Sequence, residues 1–195
     1  MERLTLPCDE AAVRKLRVGD AVLLSGRMIT GRDAAHHWLV HGFQKDVAEF
    51  MKGTIIYHCG PVIRKNPDGS YDVVAAGPTT SAREEPYQAD VIGRYGLRGV
   101  IGKGGMLKKT QAGLQEHGAV YLHAVGGTAQ VLARSVVRVD RVFMLEEFGV
   151  PEAMWVLEVK DFPTVVTMDS HGGSLHDVVQ ASSKAELDKL IGAGK

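Results

Sequence analysis

Hydrophobic and polar positions along this chain predict buried strands separated by helices. Four short apolar runs are typical of buried strands, and segments whose apolar residues recur at helical spacing lie between them. The strand runs are "DAVLLSGRMI", "GTIIYHCG", "LRGVIGKGG" and "AVYLHAVG". Alternation of this kind predicts the α/β class, with several strands in layers and helices that flank them.

Several single segments carry predictions of their own. Gly42 interrupts the first helical pattern, and "NPDGS" has the residues of a hairpin turn. We predict a helical region over residues 30–53 that breaks near Gly42, a hairpin over residues 61–77 with its turn at Pro67–Gly69, a helix from about Ser81 to Tyr95, and two β-rich runs separated by Asp161–Pro163.

The chain is expected to form one domain. Its sequence has no long linker, no internal repeat and no change of composition, so a single domain over residues 1–195 is the simplest interpretation. The hydrophobic content of 45% and the charged content of 24% are ordinary for a globular protein. The tail near residues 185–195 is expected to fray.

Charge and cysteine content argue against several classes of function. The 23 basic and 23 acidic side chains cancel, so no overall field attracts nucleic acid or an anionic membrane, and any anion site is local. Two cysteines are too few for a disulfide framework and are typical of a reduced protein. The polar start and the lack of a run long enough to span a bilayer lead us to expect a cytoplasmic protein.

The stretch "AAGPTTSAREEPY", residues 75–87, has the composition of a binding loop. An apolar strand ends at a Gly-Pro pair, and Thr79, Thr80 and Ser81 then stand where a helix is predicted to begin. The free N–H groups at such a place attract anions, although the hydroxyl groups also suit a simple N-cap. Arg83 favours the anion site, because a cation in the first turn opposes the helix dipole and its planar fork fits a carboxylate or phosphate.

A second loop, "GVIGKGGM" at residues 99–106, combines glycines with the ammonium group of Lys103. Glycines allow a ligand to approach the backbone closely, and the next predicted helix begins just after them. The loop does not match the P-loop pattern GxxxxGK[ST]. The alternative is a flexible turn between strand and helix, with a solvated lysine.

The segment "SGRMITGRDAAHH", residues 25–37, places Arg27 and Arg32 around a glycine loop. Asp33 is positioned to cap the helix that follows. Either one of the two arginines joins the anion site, or both are ordinary surface residues.

Metal and thiol chemistry have weaker support. His37 and His41 are four residues apart on a predicted helix, but no third zinc ligand is visible, and histidines beside Trp38 also suit packing. Cys59 is either a reactive thiol or an inert apolar residue. The sequence contains no paired-cysteine motif, no GxSxG elbow and no complete acid–base constellation. It therefore predicts half of a catalytic site, without metal ligands.

Four segments in this order, "SGRMITGRDAAHH", "YHCGPV", "AAGPTTSAR" and "GVIGKGGM", connect the chain with a known family. Over about residues 1–170 it resembles the C-terminal half of the class I, iron–sulfur fumarate hydratases and of the related L-tartrate dehydratases. Members of this family are one long chain or are split into alpha and beta subunits, and this chain is similar to a separate beta subunit. The resemblance implies a swivelling β/β/α domain.

The resemblance also implies a partner. In the family, an alpha subunit holds a [4Fe–4S] cluster through three cysteines, and the active site lies between the two halves. Neither Cys8 nor Cys59 matches a cluster ligand, so this chain is expected to bind no metal or cofactor itself. The expected assembly is a heterotetramer of two alpha and two beta subunits that acts on a dicarboxylate and binds neither nucleic acid nor membrane.

Matching the family motifs position by position gives the expected site residues. The substrate-binding arginine of its TGRDAAH segment matches Arg32, and its GPTT threonine, which resembles a catalytic base, matches Thr79. The next arginine and the IGKGG lysine, also substrate-binding by resemblance, match Arg83 and Lys103. Glu84 is a departure, because many relatives have methionine after that arginine. The three cations suit a four-carbon dicarboxylate.

The function implied by this resemblance is that of the beta subunit of a class I fumarate hydratase. With its alpha subunit, such an enzyme catalyses the reversible hydration of fumarate to (S)-malate in the tricarboxylic acid cycle. The beta subunit of L(+)-tartrate dehydratase is the nearest alternative, and the sequence does not decide between the two. A non-catalytic dicarboxylate-binding domain is an alternative from another class.

Overall fold

The computed structural model of this chain describes residues 1–192, which form strands, α-helices and one 3-10 helix. The strands are β1 (Glu2–Leu6), β2 (Ala21–Thr30), β3 (Ile55–Tyr57), β4 (Val62–Lys65), β5 (Tyr71–Ala75), β6 (Gly99–Gly102), β7 (Val120–His123), β8 (Val136–Phe143) and β9 (Met154–Met168). The α-helices are α1 (Glu10–Val13), α2 (Asp33–Val40), α3 (Lys45–Met51), α4 (Gln88–Tyr95), α5 (Lys108–His117), α6 (Ala129–Ala133), α7 (Leu145–Phe148) and α8 (Leu175–Gly192). The 3-10 helix spans Ser81–Glu84.

Seven of the described strands form one sheet in the order β1-β2-β3-β6-β7-β9-β8, and β2 also pairs with β9. This second pairing closes β2, β3, β6, β7 and β9 into a five-stranded, barrel-like ring, with β1 and β8 attached outside it. β4 and β5 form a separate hairpin. The prediction of a mixed α/β fold with flanking helices is confirmed, and closure of the sheet is a feature that the sequence pattern did not indicate.

The direction of the ring strands determines where the loops meet. β2, β3, β6 and β7 run parallel, and β9 runs antiparallel to both of its ring neighbours. Parallel neighbours have their carboxyl ends at the same edge, where α/β sheets commonly bind ligands. The loops that follow Thr30, Tyr57, Gly102 and His123 therefore lie at one edge of the ring, which we call the carboxyl edge.

Both faces of the ring strands are buried, because their side chains alternate between two hydrophobic cores. In β3, Ile55 and Tyr57 belong to one core and Ile56 belongs to the other. The second core also contains apolar residues of α2, α3, α4 and α5, so these helices cover the outer face of the ring. A fully buried large apolar side chain contributes about 1.5–3 kcal/mol, so this double burial stabilises the ring strands that carry the loops of the carboxyl edge.

The helix predicted from about Ser81 to Tyr95 differs from the structure. A 3-10 helix, Ser81–Glu84, comes first, and α4 begins only at Gln88. Pro86 lies between them, and because proline lacks an N–H group and restricts the residue before it, a continuous α-helix is disfavoured there. The prediction of one helix is therefore wrong.

The two β-rich runs predicted in the last third of the chain are one strand, β9. Asp161 adopts a φ of +52°, which bends this strand without ending it, and the following Phe162 remains fully buried. That prediction is therefore wrong. The predictions of a hairpin over residues 61–77 and of a break near Gly42 are confirmed.

The helix α8 has no buried residue within its described length. It includes residues 185–192 of the tail that the sequence predicts to fray, and residues 193–195 lie outside the described residues. Exposed apolar side chains such as Val178, Leu187 and Leu190 lie along it. Of the helices in the described part of the chain, none has both the length and the apolar character needed to cross a membrane.

Gly26 leads to a stability prediction, because β1 passes too close to it for a side chain. Its φ of +101° is rarely adopted by residues with a Cβ, and a Cβ there would overlap the carbonyl oxygen of Leu6 in β1. We expect Gly26→Ala to lower the free energy of unfolding by about 2–5 kcal/mol, from backbone strain plus displacement of β1. Urea unfolding followed by circular dichroism measures this loss.

Gly19→Ala is the matched control. Gly19 has a φ of +97°, but apart from its two chain neighbours no residue comes within 4 Å of the place that its Cβ would occupy. This variant has the backbone strain alone, and we expect a loss of about 1–2 kcal/mol. Equal losses in the two variants would show that the approach of Leu6 does not constrain Gly26.

Candidate functional site

The structure brings the loops that carry all four predicted site residues to the carboxyl edge. Arg32 follows β2, and Lys103 follows β6. Thr79 and Arg83 lie in the segment between β5 and α4, which forms isolated bridges to the loops after β3 and β6. Residues that are far apart in the sequence therefore come together where the parallel strands end.

Backbone hydrogen bonds fix Thr79 between two neighbouring loops. Its N–H donates to the carbonyl oxygen of His58 at 2.7 Å, and its own carbonyl oxygen accepts from the N–H of Lys103 at 3.2 Å. The N–H of Ser81 donates in turn to the carbonyl oxygen of Lys103 at 3.1 Å. These bonds join the loops after β3, β5 and β6. They therefore fix the position of the Thr79 backbone relative to the Lys103 backbone.

The α-helix N-terminus that was predicted to hold an anion at Thr79–Ser81 is absent from the described structure. Ser81–Glu84 is a single 3-10 turn, and the N–H groups of Thr79 and Ser81 already bond carbonyl oxygens of other loops. Thr80 occupies the N-cap position, but its side chain makes no capping hydrogen bond, and the Ser81 hydroxyl bonds other side chains. Because so short a segment has little dipole, the helix-dipole argument for an anion site does not apply here.

The side chains of Thr79 and Lys103 are partly exposed. Within residues 1–192, neither the Thr79 hydroxyl nor the Lys103 ammonium is hydrogen-bonded to another residue. An ammonium on a flexible stem is a point charge that reaches several positions. Both groups are therefore available to a ligand at the carboxyl edge.

Arg32 is the N-cap residue of α2, and its guanidinium lies against Gly60 in the loop after β3. A Cβ at Gly60 would overlap Arg32 Nη1 and come within 2.7 Å of the carbonyl oxygen of Pro151, so only glycine fits there. Arg32 Nε lies 3.3 Å from Glu152 Oε1, yet this buried nitrogen makes no hydrogen bond with any described residue.

Arg83 is paired with Asp33, the residue directly after Arg32. Its Nε donates to Asp33 Oδ1 at 3.2 Å, and its Nη2 donates to Asp33 Oδ2. The Arg83 side chain is 54% exposed, and so open an ion pair contributes little to stability. The prediction that Asp33 caps α2 is wrong, because Arg32 holds the N-cap position and the Asp33 carboxylate binds Arg83.

Glu84, directly after Arg83, is a buried carboxyl group. Its side chain has 0% exposure, and neither of its oxygens makes a hydrogen bond within the described residues. His36 Nδ1 lies 3.5 Å from Glu84 Oε2 but donates to the carbonyl oxygen of Arg32 at 2.8 Å. Burial, followed by the negative charge of Asp33, raises the pKa of Glu84 to about 8. Glu84 is therefore mostly neutral at pH 7.

This raised pKa predicts a pH-dependent stability. Between the ordinary pKa of 4.5 and about 8, the folded chain keeps a proton on Glu84 that the unfolded chain releases. The contribution to stability is complete below the lower value and is lost as the pH rises through the upper one. The free energy of unfolding should therefore fall by about 1.4 kcal/mol for each pH unit in that interval. We expect Glu84→Gln to remove this fall, because glutamine cannot ionise. Urea unfolding at a series of pH values measures it.

Glu147→Gln is the control for this pH dependence, because Glu147 is exposed on α7. The control should lose stability with rising pH as the unmodified chain does. A stability difference between Glu84→Gln and the unmodified chain that stays the same at every pH would show that Glu84 is ionised in the folded state.

The thiols of this chain are not suited to hold a metal. Burial raises the pKa of Cys59 to about 12 and the pKa of Cys8 to about 11, so both are neutral at pH 7. In residues 1–192, no group of three or more His, Cys, Asp or Glu side chains is placed to bind a metal ion. These residues do not fit an iron–sulfur cluster, and Cys59 has the environment of an inert apolar residue.

Arg27, His37 and His41 make packing and hydrogen-bond contacts within the chain. The guanidinium carbon of Arg27 lies 5.1 Å from the centre of the Phe50 ring, a cation–π contact. The rings of His37 and His41 are 4.0 Å apart, and His41 Nδ1 donates to the carbonyl oxygen of His37 at 2.6 Å. Of the two arginines that the sequence left open, only Arg32 lies at the carboxyl edge.

Sequence patterns miss the side chains that support these residues. They assign Asp33 to a cap, and they do not single out Glu152 or Gln88. One signal is present, because His36 stands four residues after Arg32, on the same side of a helix. The other partners come from distant segments and have no local pattern.

Comparison with known proteins identifies relatives of this chain. A sequence model described as "Fumarase C-terminus" matches residues 2–179. A protein of Geobacillus stearothermophilus, provisionally named a class I fumarate hydratase, is 52% identical over 187 residues, which are 96% of this chain and 36% of that protein. This chain therefore spans about a third of that relative.

Two further relatives are similar to this chain in extent. A protein of Methanocaldococcus jannaschii, provisionally named the beta subunit of L(+)-tartrate dehydratase, is 43% identical over 183 residues, 92% of this chain and 93% of that protein. The L(+)-tartrate dehydratase beta subunit of Escherichia coli K12 is 36% identical over 173 residues, 88% of this chain and 85% of that protein. The region that matches this chain is thus part of the longer Geobacillus protein and most of the shorter Methanocaldococcus protein.

Proposed function

This chain belongs to the fumarase C-terminal family, and from that membership we propose that it is the beta subunit of a class I fumarate hydratase. Such an enzyme is a hydro-lyase that interconverts fumarate and (S)-malate. The observation that carries the proposal is the meeting of Arg32, Thr79, Arg83 and Lys103 at the carboxyl edge. Three cations and one available hydroxyl group suit one half of a site for a small dicarboxylate.

Arg32, Arg83 and Lys103 are proposed to bind the two carboxylates of the substrate. Arg32 is paired with Glu152 and Arg83 has an exposed pair with Asp33, so a substrate carboxylate would compete with one protein carboxylate at each arginine. Basic and acidic residues are equal in number, so attraction for a dianion comes from this local cluster. Hydrogen bonds between an arginine fork and a carboxylate are directional, and they would orient the substrate for reaction.

Thr79 is proposed to move the proton. In the dehydration of malate, a C–H bond next to one carboxylate breaks, its electron pair forms the double bond, and the hydroxyl group leaves the neighbouring carbon as hydroxide, which a Lewis acid of the partner would accept. The Thr79 oxygen accepts that proton and returns it during hydration. Because a threonine hydroxyl is a weak base, Thr79 acts as an alkoxide stabilised by the surrounding cations or relays the proton to a group of the partner.

The partner is proposed to be an alpha subunit that carries a [4Fe–4S] cluster, in an assembly of two alpha and two beta subunits. The extents of the relatives support a separate partner, because this chain spans 36% of one relative and 93% of a beta subunit. The described residues of this chain provide no fitting ligand set for a cluster, so the cluster is assigned to the partner.

The proposal also includes the type of domain, its bounds and its location in the cell. The closed ring with its added strands and flanking helices is proposed to be a swivelling β/β/α domain, and residues 1–195 are proposed to form one such domain. The two neutral thiols suit a reducing compartment, so a cytoplasmic location is proposed.

The names of two relatives favour a second candidate, the beta subunit of L(+)-tartrate dehydratase. Tartrate is also a four-carbon dicarboxylate, with one more hydroxyl group than malate, and the same cations would bind it. Identity is higher with the fumarate hydratase relative, at 52% against 43% and 36%, and this favours fumarate. A non-catalytic dicarboxylate-binding domain is the third candidate.

Kinetics on the assembled enzyme test the three candidates. The chain is produced anaerobically together with the alpha subunit, and kcat/KM is measured for fumarate, (S)-malate and L(+)-tartrate. We expect fumarate and malate to be converted about 10²-fold more efficiently than tartrate. The reverse preference would identify a tartrate dehydratase, and binding without turnover would identify a non-catalytic domain.

A further inference from the structure

A chain of buried polar side chains lies next to the loops of the carboxyl edge. The Gln88 amide, at Oε1, lies 2.9 Å from His36 Nε2 and 2.7 Å from His58 Nε2. His58 Nδ1 lies 2.9 Å from Ser81 Oγ, which lies 2.8 Å from the Tyr121 hydroxyl oxygen. All five residues have 0% exposure. We call His36, Gln88, His58, Ser81 and Tyr121 the buried network.

The buried network reaches two of the segments that carry predicted site residues. His36 Nδ1 donates to the carbonyl oxygen of Arg32 at 2.8 Å, which fixes the backbone at the start of α2. Ser81 lies between Thr79 and Arg83 in the sequence, so its side-chain bonds anchor the segment that carries both.

The network also reaches the loop that carries Lys103. The Tyr121 hydroxyl accepts from the N–H of Gly105 at 3.3 Å. A Cβ at Gly102 would overlap Ser81 Oγ and lie 3.0 Å from the Tyr121 hydroxyl. The loop therefore packs directly on the network, and a shift of Ser81 or Tyr121 would move the backbone beside Lys103.

Partners of the histidine rings determine where their protons lie. A carbonyl oxygen only accepts, so His36 Nδ1 carries a proton toward Arg32. Burial lowers the pKa of His36, and burial followed by the charge of His36 lowers the pKa of His58 well below its ordinary value. Both rings are therefore neutral, and His36 Nε2 is an acceptor that needs a donor from Gln88.

The amide nitrogen of Gln88 is the group that supplies this donor. The two ends of an amide have the same shape, and hydrogen bonding decides which end faces a partner. With Oε1 toward the rings, the Gln88 nitrogen has no partner among the described residues, whereas an NH2 group there donates one hydrogen to each Nε2. His58 then donates to Ser81, and Ser81 donates to Tyr121.

We propose that the buried network is a positioning device that holds Arg32, Thr79 and Lys103 in one relative arrangement, with Gln88 as its central double donor. Its kinetic consequence rests on the proposed function, but its proton arrangement does not. Apolar side chains of similar volume would fill this space without the desolvation of five polar groups. Hydrogen bonds in a buried, low-dielectric site instead favour one relative geometry of the groups that they join.

Ring ¹⁵N NMR spectroscopy of the full chain tests the proton arrangement. At pH 7 we expect His36 and His58 to be neutral, each with its proton on Nδ1. A proton on Nε2 of either neutral ring, or a doubly protonated His36 paired with Glu84, would overturn the assignment of Gln88 as double donor. This measurement needs no substrate and no partner.

Kinetics of Ser81→Ala test the positioning role. The change removes one hydroxyl group that bonds His58 and Tyr121, so the loops that carry Thr79 and Lys103 keep their backbone hydrogen bonds but lose their side-chain link to the buried network. We expect kcat/KM of the assembled enzyme to fall about 10–100-fold, since small misplacements of reacting groups are costly. Tyr121→Phe removes the hydroxyl at the other side of Ser81 and should give a loss of similar size.

Thr54→Val is the matched control. Thr54 is fully buried before the first residue of β3, and its hydroxyl donates to the carbonyl oxygens of Phe50 and Met51. It lies at the end of β3 opposite the carboxyl edge, so this variant should lower thermal stability and leave kcat/KM unchanged. If Ser81→Ala and Tyr121→Phe also keep the full kcat/KM, the positioning role is overturned.

Failure of the proposed function would be recognised separately. An unmodified assembled enzyme that converts neither fumarate nor tartrate would refute the proposed function, and with it the kinetic role of the network. The NMR result would still decide the proton arrangement. A turnover-competent enzyme whose network variants are fully active would leave the proposed function intact and refute the positioning role alone.

Discussion

Replacing Thr79 with valine should lower the kcat of the assembled enzyme about 10²–10⁴-fold, the range typical of a lost general base, and leave KM nearly unchanged. Valine keeps the β-branched shape. It also keeps the backbone hydrogen bonds to His58 and Lys103, so folding and assembly should survive. Steady-state kinetics and thermal melts on the same preparations separate the loss of chemistry from a loss of structure.

Thr80→Val is the control for this variant. Thr80 is exposed, and although it stands at the N-cap position its side chain makes no capping hydrogen bond. We therefore expect little change in kcat or in stability. Normal turnover by Thr79→Val together with a defective Thr80→Val would move the base by one residue. Full activity of both variants would place the base in the partner.

Arg83→Lys should lower kcat/KM about 30- to 150-fold, equivalent to about 2–3 kcal/mol. The Arg83 fork binds both oxygens of the Asp33 carboxylate in this structure, and we expect the same fork to bind a substrate carboxylate. Lysine keeps the charge but cannot make two parallel hydrogen bonds. Steady-state kinetics with fumarate and with malate measure the loss.

Arg64→Lys is the matched control, because Arg64 also pairs with an aspartate, Asp72, and is exposed in the β4–β5 hairpin. Its kcat/KM should equal that of the unmodified enzyme. If Arg83→Lys behaves in the same way, Arg83 does not bind the substrate.

Local sequence patterns predicted the elements of this fold better than their assembly. Ile55–Tyr57 and Gly99–Gly102 are strands, as the apolar runs predicted. Side chains alternate between the two faces of a strand, and this pattern can be read from the local sequence. Closure of the ring pairs Leu24 with Phe162, and no local pattern specifies a contact between such distant residues. The residues Asp161–Pro163 indicated a break between two strands. In the structure, the positive φ of Asp161 bends β9 without ending it.

The motifs predicted which residues lie at the carboxyl edge, but they did not predict the partners of those residues. Arg83 binds Asp33, the first residue of α2, and Glu84 is buried beside His36 of the same helix. These partners come from separate elements, so their contacts depend on how the helices pack on the ring. Gln88 belongs to the buried network for the same reason and has no sequence signal of its own.

Titration of the alpha subunit with this chain, in an anaerobic assay of fumarate hydration with iron analysis, is the most direct test of the beta-subunit assignment. The assignment predicts no hydratase activity and no cluster iron in this chain alone, and activity in the mixture that rises to a maximum at one beta subunit for each alpha subunit. Stoichiometric cluster iron in this chain, or fumarate hydration by the alpha subunit that added chain does not change, would contradict it.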